Sequence, residues 1–216
     1  MKIILINPPW KNTNTVPPLG LAYLGAMLKK EGFEITVIDA NAINAKYTHR
    51  DIFEEVKRYN PDLIGITIYT TFAKNTYFLM KTLSSLNKVI VVGGPHPSAV
   101  SRESFRYSAD IVVKGEGEKT IVELAKILKN GESLCNVRGI LFKDKKGDIV
   151  ENLPQEPIAD LDNLPRPARD LFDPKLYTKR AGSSLYGAIL TSRACPGRCT
   201  FCSKAVFGNN HRFRSA

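Results

Sequence analysis

Three cysteines near the C-terminal end, Cys195, Cys199 and Cys202, stand in the run Cys195-Pro-Gly-Arg-Cys199-Thr-Phe-Cys202. Their C-x3-C-x2-C spacing puts three thiols into one short loop. A cubane iron–sulfur cluster normally takes four cysteine ligands. A site that stops at three leaves one iron open, free to bind a substrate rather than only to pass electrons. Zinc is the plainer alternative, but it asks for four ligands, usually tetrahedral. The nearest fourth candidate is His211, nine residues beyond Cys202, and that spacing fits no common zinc pattern. The remaining cysteine, Cys135, stands apart and reads as a small packed hydrophobe. Three clustered cysteines and one isolated one do not make a disulfide framework, which points to a reducing compartment. A cytoplasmic location is expected.

The chain has 216 residues and a formal charge of +10. After Asp173 there is no acid, while Lys175, Lys179, Arg180, Arg193, Arg198, Lys204, Arg212 and Arg214 supply eight positives. A basic tail could bind nucleic acid. It could equally neutralise a thiolate-ligated cluster and an anionic cosubstrate. Because the rest of the chain is close to balanced, nucleic acid is not the expected partner. No apolar stretch has the length a bilayer demands, so no membrane partner is expected. The N-terminal run at residues 3–6 is too short for a signal-peptide core and reads as a buried strand.

The elements that must position the cysteines alternate short apolar runs with amphipathic ones. Strands are expected at residues 3–6, 35–38, 63–68, 89–92 and 111–113. Helices are expected at 19–30, closed by Gly32; at 52–59, ending before Pro61; at 72–86; briefly after Pro97; and at 121–128, closed by Gly131. Five β-α repeats predict an α/β fold: a flavodoxin- or Rossmann-like, doubly wound, parallel five-stranded sheet in the order 2-1-3-4-5. Ligands of such sheets bind at the carboxyl ends of the strands, here the loops 7–18, 67–71, 93–97 and 115–118. A hairpin follows at 137–142 and 148–150. Residues 153–174 hold five of the thirteen prolines and read as a semi-rigid linker. A strand-like run at 186–190 then opens a second domain. The expected division is 1–135, 136–184 and 185–216.

The segment from Leu190 to Lys204 resembles the opening of the radical S-adenosylmethionine enzymes, whose motif is C-x3-C-x-aromatic-C. Phe201 occupies the aromatic place. The resemblance implies that Cys195, Cys199 and Cys202 ligate a [4Fe-4S] cluster and that Phe201 lies near the adenine of S-adenosylmethionine. In that family the cosubstrate's amine and carboxylate chelate the open iron, and an electron from the cluster splits the sulfonium to give a 5′-deoxyadenosyl radical. An electron donor such as a flavodoxin or ferredoxin is implied as a partner.

Pro17-Pro18-Leu19-Gly20, Gly93-Gly94-Pro95-His96 and Lys114-Gly115-Glu116-Gly117-Glu118 fall at strand ends or helix starts. Together with the 160–167 linker they resemble the family that places a cobalamin-binding domain before the radical core. The resemblance covers the chain from Met1 to about Arg214. It implies cobalamin contacts from Asn7, Pro18, Leu19, Gly20, Thr67, Thr70, Thr71, Gly93, Gly94, Pro95, His96, Gly115, Glu116 and Gly117. Glycines suit this role because they let backbone approach a flat ligand. Many cobalamin domains carry D-x-H-x-x-G after the first strand. Aligned on Gly20, this chain has Thr15 and Pro17 at the Asp and His places, so cobalamin is expected without a histidine ligand from this loop.

The expected function is part of a radical S-adenosylmethionine enzyme, a cobalamin-dependent methyltransferase or radical cyclase acting on an unidentified small or macromolecular substrate. Two alternatives stand beside it. One is a cobalamin-binding module without catalysis of its own; the other is a radical enzyme whose first domain binds no cobalamin. A methylthiotransferase is disfavoured, since Cys135 is the only cysteine before the linker. By the resemblance, residues 185–216 give only the first strand and cluster loop of a truncated (β/α) barrel, so turnover is not expected from these residues alone.

Overall fold

The computed structural model describes residues 1–11, 14–177 and 187–215. Five parallel strands form the centre: β1 (Lys2–Asn7), β2 (Glu34–Asp39), β3 (Leu63–Thr67), β4 (Val89–Gly93) and β5 (Ile111–Val113). They run in the expected order, β2-β1-β3-β4-β5. Helices α1 (Leu19–Lys30), α2 (His49–Tyr59), α3 (Ala73–Leu83), α4 (Pro95–Ala99) and α5 (Gly117–Asn130) make the crossovers.

Successive side chains of β1 show why the sheet is covered on both faces. Ile3 and Leu5 enter one core with Leu21 and Leu28 of α1 and Ile121 and Leu124 of α5. Ile4 and Ile6 enter the other with Ile52 and Val56 of α2 and Leu79 and Met80 of α3. A continuous apolar run is what a strand with two buried faces requires. Local signals set the helix ends. α2 opens on a capping box in which the Asp51 N–H donates to the Thr48 hydroxyl and the Thr48 N–H donates to the Asp51 carboxylate. It closes on Asn60 in the left-handed region, just before Pro61. α5 closes on Gly131, as expected.

Some boundaries differ. The helix expected over 72–86 is α3 flanked by 3-10 turns at Thr70–Phe72 and Ser84–Leu86. The short helix starts at Pro95 rather than after Pro97, because proline's fixed φ and missing N–H suit the first helical position.

The hairpin, β6 (Ile140–Lys143) and β7 (Ile149–Glu151), extends the sheet. β6 pairs antiparallel with β5, and β7 with β6, giving seven strands rather than five. A lone hairpin is marginal in water, and the open edge of β5 supplies the pairing it needs. The proline-rich segment is docked rather than free. Ile158, Leu161 and Leu164 are buried with Tyr23 of α1, and the Ala168 N–H donates to the Ala22 carbonyl at 3.0 Å.

Of the strand expected at 186–190, Tyr186 lies outside the described residues and 187–190 carry no strand. A two-residue strand, β8 (Ser192–Arg193), instead pairs antiparallel with β9 (Arg212–Phe213). An apolar run alone does not name its partner. Here the pairing is made across the cysteine loop. No described helix is long and apolar enough to cross a membrane.

Candidate functional site

The carboxyl ends of β1, β3, β4 and β5 open onto a cavity of about 260 Å³. Leu5, Leu21, Leu24, Ile66, Val91, Val92, Val113 and Ile121 make it mainly apolar. Nine positions expected from the sequence line it: Pro18, Gly20, Thr67, Gly93, Gly94, Pro95, Gly115, Glu116 and Gly117. These strand ends, their loops and the starts of α1 and α5 supply most of the wall, and the loops do so partly through glycine backbone. Gly94 shows why. Its φ is +104°, and a Cβ there would stand 2.9 Å from Thr67 Oγ1 and 3.1 Å from the Ile68 carbonyl. Only glycine takes that backbone so close to the end of β3 without strain. The Ser98 hydroxyl accepts the Gly115 N–H at 3.0 Å and holds the neighbouring loop.

Asn7, Leu19, Thr70, Thr71 and His96 do not line this cavity. His96 is 6% exposed. Its Nδ1 lies 3.2 Å from Thr70 Oγ1 and its Nε2 2.9 Å from the Tyr77 hydroxyl, with the Glu103 carboxylate at 3.4 Å. Both ring nitrogens are engaged by protein groups. Burial pushes the Tyr77 phenol up to about 12, so it remains a hydroxyl throughout the ordinary pH range. Asn7 is turned to a different task. Its Nδ2 donates to Asp39 Oδ1 at 2.6 Å, and Asp39 also accepts the Tyr177 hydroxyl at 2.8 Å. Burial raises the Asp39 carboxyl above its usual value, while the bonds from Tyr177 and Asn7 pull the other way. This cluster pins the end of the proline-rich segment to the sheet. Leu19 packs against the Tyr23–Ile158 cluster, and Thr71 is exposed.

Cys195, Cys199 and Cys202 are exposed and line a second hollow of about 460 Å³. A Cβ on Gly197 would stand 3.4 Å from Cys195 Sγ and 3.8 Å from Cys199 Sγ. The missing side chain thus keeps the space between two thiols open. The Cys202 N–H donates to the Cys199 carbonyl at 3.2 Å, and the Lys204 ammonium donates to the Gly197 carbonyl. Sulfurs bound to one tetrahedral ion at about 2.3 Å lie within about 4 Å of each other. Among the described residues no three His, Cys, Asp or Glu groups gather closely enough to hold a single metal ion. Thiols that ligate separate irons of a cluster stand further apart, and three thiols around one hollow suit that donor set. The His211 ring packs at a tilt against Phe213, with centroids 4.1 Å apart. Phe201 is 87% exposed and does not line the hollow.

The two spaces adjoin. Pro95, Val206 and Phe207 line both. Behind this wall lies a buried charge cluster that sequence reasoning did not assemble. Glu116 Oε2 is 3.2 Å from Arg193 Nη1, and Arg193 also pairs with Glu118. Arg212 pairs with the same Glu116. Arg214 lies 3.8 Å from Asp162. Arg193, Arg212 and Arg214 of the basic tail thus meet acids of the preceding residues. The signal was present as an acid-free tail facing a Gly-Glu-Gly-Glu loop, but its pairing needed the fold.

A doubly wound sheet with a largely apolar cavity at its strand ends, adjoining a three-thiol hollow, is an α/β architecture with its open space where such sheets receive ligands. The B12 binding domain family matches residues 11–125, and the chain belongs to that family. It is 34% identical, over its whole length and 48% of the relative, to an uncharacterized methyltransferase of Pyrococcus horikoshii. It is 32% identical, over 99% of the chain and 44% of the relative, to the anaerobic magnesium-protoporphyrin IX monomethyl ester cyclase of Synechocystis sp.. A solved structure of the cobalamin-dependent S-adenosylmethionine radical enzyme OxsB, with aqua-cobalamin and S-adenosylmethionine bound, superposes with a TM-score of 0.82. The match has 25% identity and covers 99% of this chain and 30% of that one. The chain spans about half the length or less of these curated relatives.

Proposed function

We propose that this chain is the cobalamin-holding domain and the first part of the radical core of a cobalamin-dependent radical S-adenosylmethionine enzyme, a methyltransferase or radical cyclase. The observation that carries the reading is the shared wall: Pro95, Val206 and Phe207 separate the strand-end cavity from the thiol hollow. Two cofactors held there would face each other across one layer of side chains, which is the proximity that transfer between them demands.

In this reading Cys195, Cys199 and Cys202 hold the [4Fe-4S] cluster, and the exposed Phe201 ring lies beside the adenine of S-adenosylmethionine. Pro18, Gly20, Thr67, Gly93, Gly94, Pro95, Gly115, Glu116 and Gly117 line the cobalamin site, with Leu5, Tyr69 and Val113 adding apolar surface. Once bound, the cluster supplies the electron that cleaves S-adenosylmethionine, and cobalamin supplies an alkyl-carrying cobalt. The protein's own part is to orient both and keep water from the space between them. The exposed thiol loop is open to a soluble electron donor such as a flavodoxin or ferredoxin.

The test is anaerobic reconstitution of the full-length protein with iron and sulfide, together with visible-spectrum titration with hydroxocobalamin. Saturable binding of cobalamin and a thiolate-to-iron charge-transfer band are expected. Cobalamin binding without cluster assembly would leave a carrier module. Cluster assembly without cobalamin binding would leave a radical enzyme whose first domain serves another purpose.

A further inference from the structure

The cysteine loop is held by both ends on one carboxylate. β8 and β9 flank it, and each contributes one buried arginine, Arg193 and Arg212. Both pair with Glu116, and Arg193 also pairs with Glu118. The side chains of the four residues are between 2% and 7% exposed. Glu116 Oε2 accepts the Ile158 N–H at 3.1 Å, and Arg212 Nη1 donates to the Ile158 carbonyl at 2.7 Å. The same two residues therefore also grip the proline-rich segment. Glu116 and Glu118 belong to the wall of the strand-end cavity, so the loop hangs from the cavity itself.

The arginines also hold the wall between the two spaces. The Phe207 carbonyl accepts from Arg212 Nη2 at 3.2 Å. The Arg193 guanidinium lies 5.3 Å from the Phe207 ring and 5.5 Å from the Tyr23 ring of α1, within the range of a cation–π contact. Burying four charges is costly, and a hydrophobic substitute would often be at least as stable. A buried charge cluster instead gives a geometry that tolerates little displacement, because any shift leaves a charge unpaired.

We propose that Glu116, Glu118, Arg193 and Arg212 form a positioning joint that fixes the cysteine loop and its Phe207 wall at one distance from the strand-end cavity. The consequence for two cofactors rests on the function proposed above; the joint itself does not. Glu116 and Glu118 stand in the cavity wall, but their carboxylates are taken by the two arginines. The role of the four is to set the register between the two sites, which the proline-rich segment alone would leave loose.

Hydrogen exchange on this 216-residue chain tests the joint without any cofactor. In Glu116→Gln, amides at 192–214 are expected to exchange at least about tenfold faster, as local opening does when it loses about 1.4 kcal/mol. Amides of β1, β3 and β4 should stay within about twofold of wild type. Arg212→Lys, which keeps the charge but loses the fork, should fall between them. Unchanged exchange at 192–214 overturns the joint. An increase spread equally over β1, β3 and β4 also overturns it, by reducing the cluster to general stability. If Glu116→Gln does not fold, Glu118→Gln is judged by the same outcomes.

In the full-length, reconstituted protein, the dipolar distance between cob(II)alamin and the reduced cluster should broaden in Arg212→Lys, whose side chain lines neither space, while both cofactors remain bound. An unchanged distance distribution would overturn the positioning role. A wild-type protein that binds no cobalamin would instead refute the proposed function and leave the exchange result to decide the joint.

Discussion

The strand-end cavity and the cysteine hollow are built on opposite principles. The cavity belongs to the sheet: its wall is strand ends, glycine backbone and apolar side chains whose positions two buried cores already dictate. The hollow belongs to a loop whose thiols are all exposed and whose flanking strands are two residues each. The first is preformed by the sheet. The second depends on its anchors and on the group it would hold, since metal binding and local order are coupled. A preformed site and a ligand-ordered site should therefore fail in different ways when perturbed.

The sharpest way to separate them is Cys199→Ala. Iron uptake on reconstitution of the full-length protein should fall to background, while cobalamin affinity stays within about twofold, since the cavity is shaped by the sheet and Cys199 is not part of its wall. Loss of both together would show that the two sites are one folding unit. A smaller effect is expected from Tyr69→Ala. Tyr69 lines the cavity, and its ring lies 5.3 Å from that of Phe72. Losing this apolar wall should weaken cobalamin by roughly tenfold, on the scale of 1–2 kcal/mol for a partly buried side chain, without changing iron content.

Asp39 tests the sheet away from either site. Its folded carboxyl is raised above 3.8 by burial, so its contribution to stability is fully present below about pH 4 and is lost as pH rises through the raised value. Asp39→Asn removes that dependence, and denaturant melts from about pH 4 to 7 should show a flatter profile for the variant. An unchanged slope would mean that the bonds from Tyr177, Asn7 and Asn41 outweigh desolvation. The smallest change is Thr48→Ala. Losing the α2 capping box should cost about 1 kcal/mol of stability and leave both sites intact.

The two regions also differ in how far the sequence reveals them. The sheet order could be read from continuous apolar runs alternating with helical periodicity, because burial on both faces leaves a plain pattern. The strand-end loops that hold Gly93, Gly94, Gly115 and Pro18 followed from that order, and the resemblance picked out the residues within them. His96 was not separable from them by sequence: it sits beside Pro95, yet α4 turns its ring toward Thr70 and Tyr77. Asn7 likewise ends β1, but its side chain is taken by Asp39. The cysteines stand out by spacing alone. What holds them does not, because Glu116 and Arg212 are 96 residues apart and neither carries a local signature of its partner. The docking of the hairpin on β5 was hidden for the same reason, since edge pairing is a property of the assembled sheet.

The account rests on the strand-end cavity being the cobalamin site, and one comparison tests this most directly. Visible-spectrum titration with hydroxocobalamin should be run on the full-length wild type and on Gly94→Val. A branched side chain at φ +104°, with its Cβ 2.9 Å from Thr67 Oγ1, must push the β3 and β4 loops apart. Wild type should bind saturably, and the variant at least about tenfold more weakly, with a cooperative melt retained. Equal affinity in the two proteins, or no saturable binding to wild type, would contradict the account.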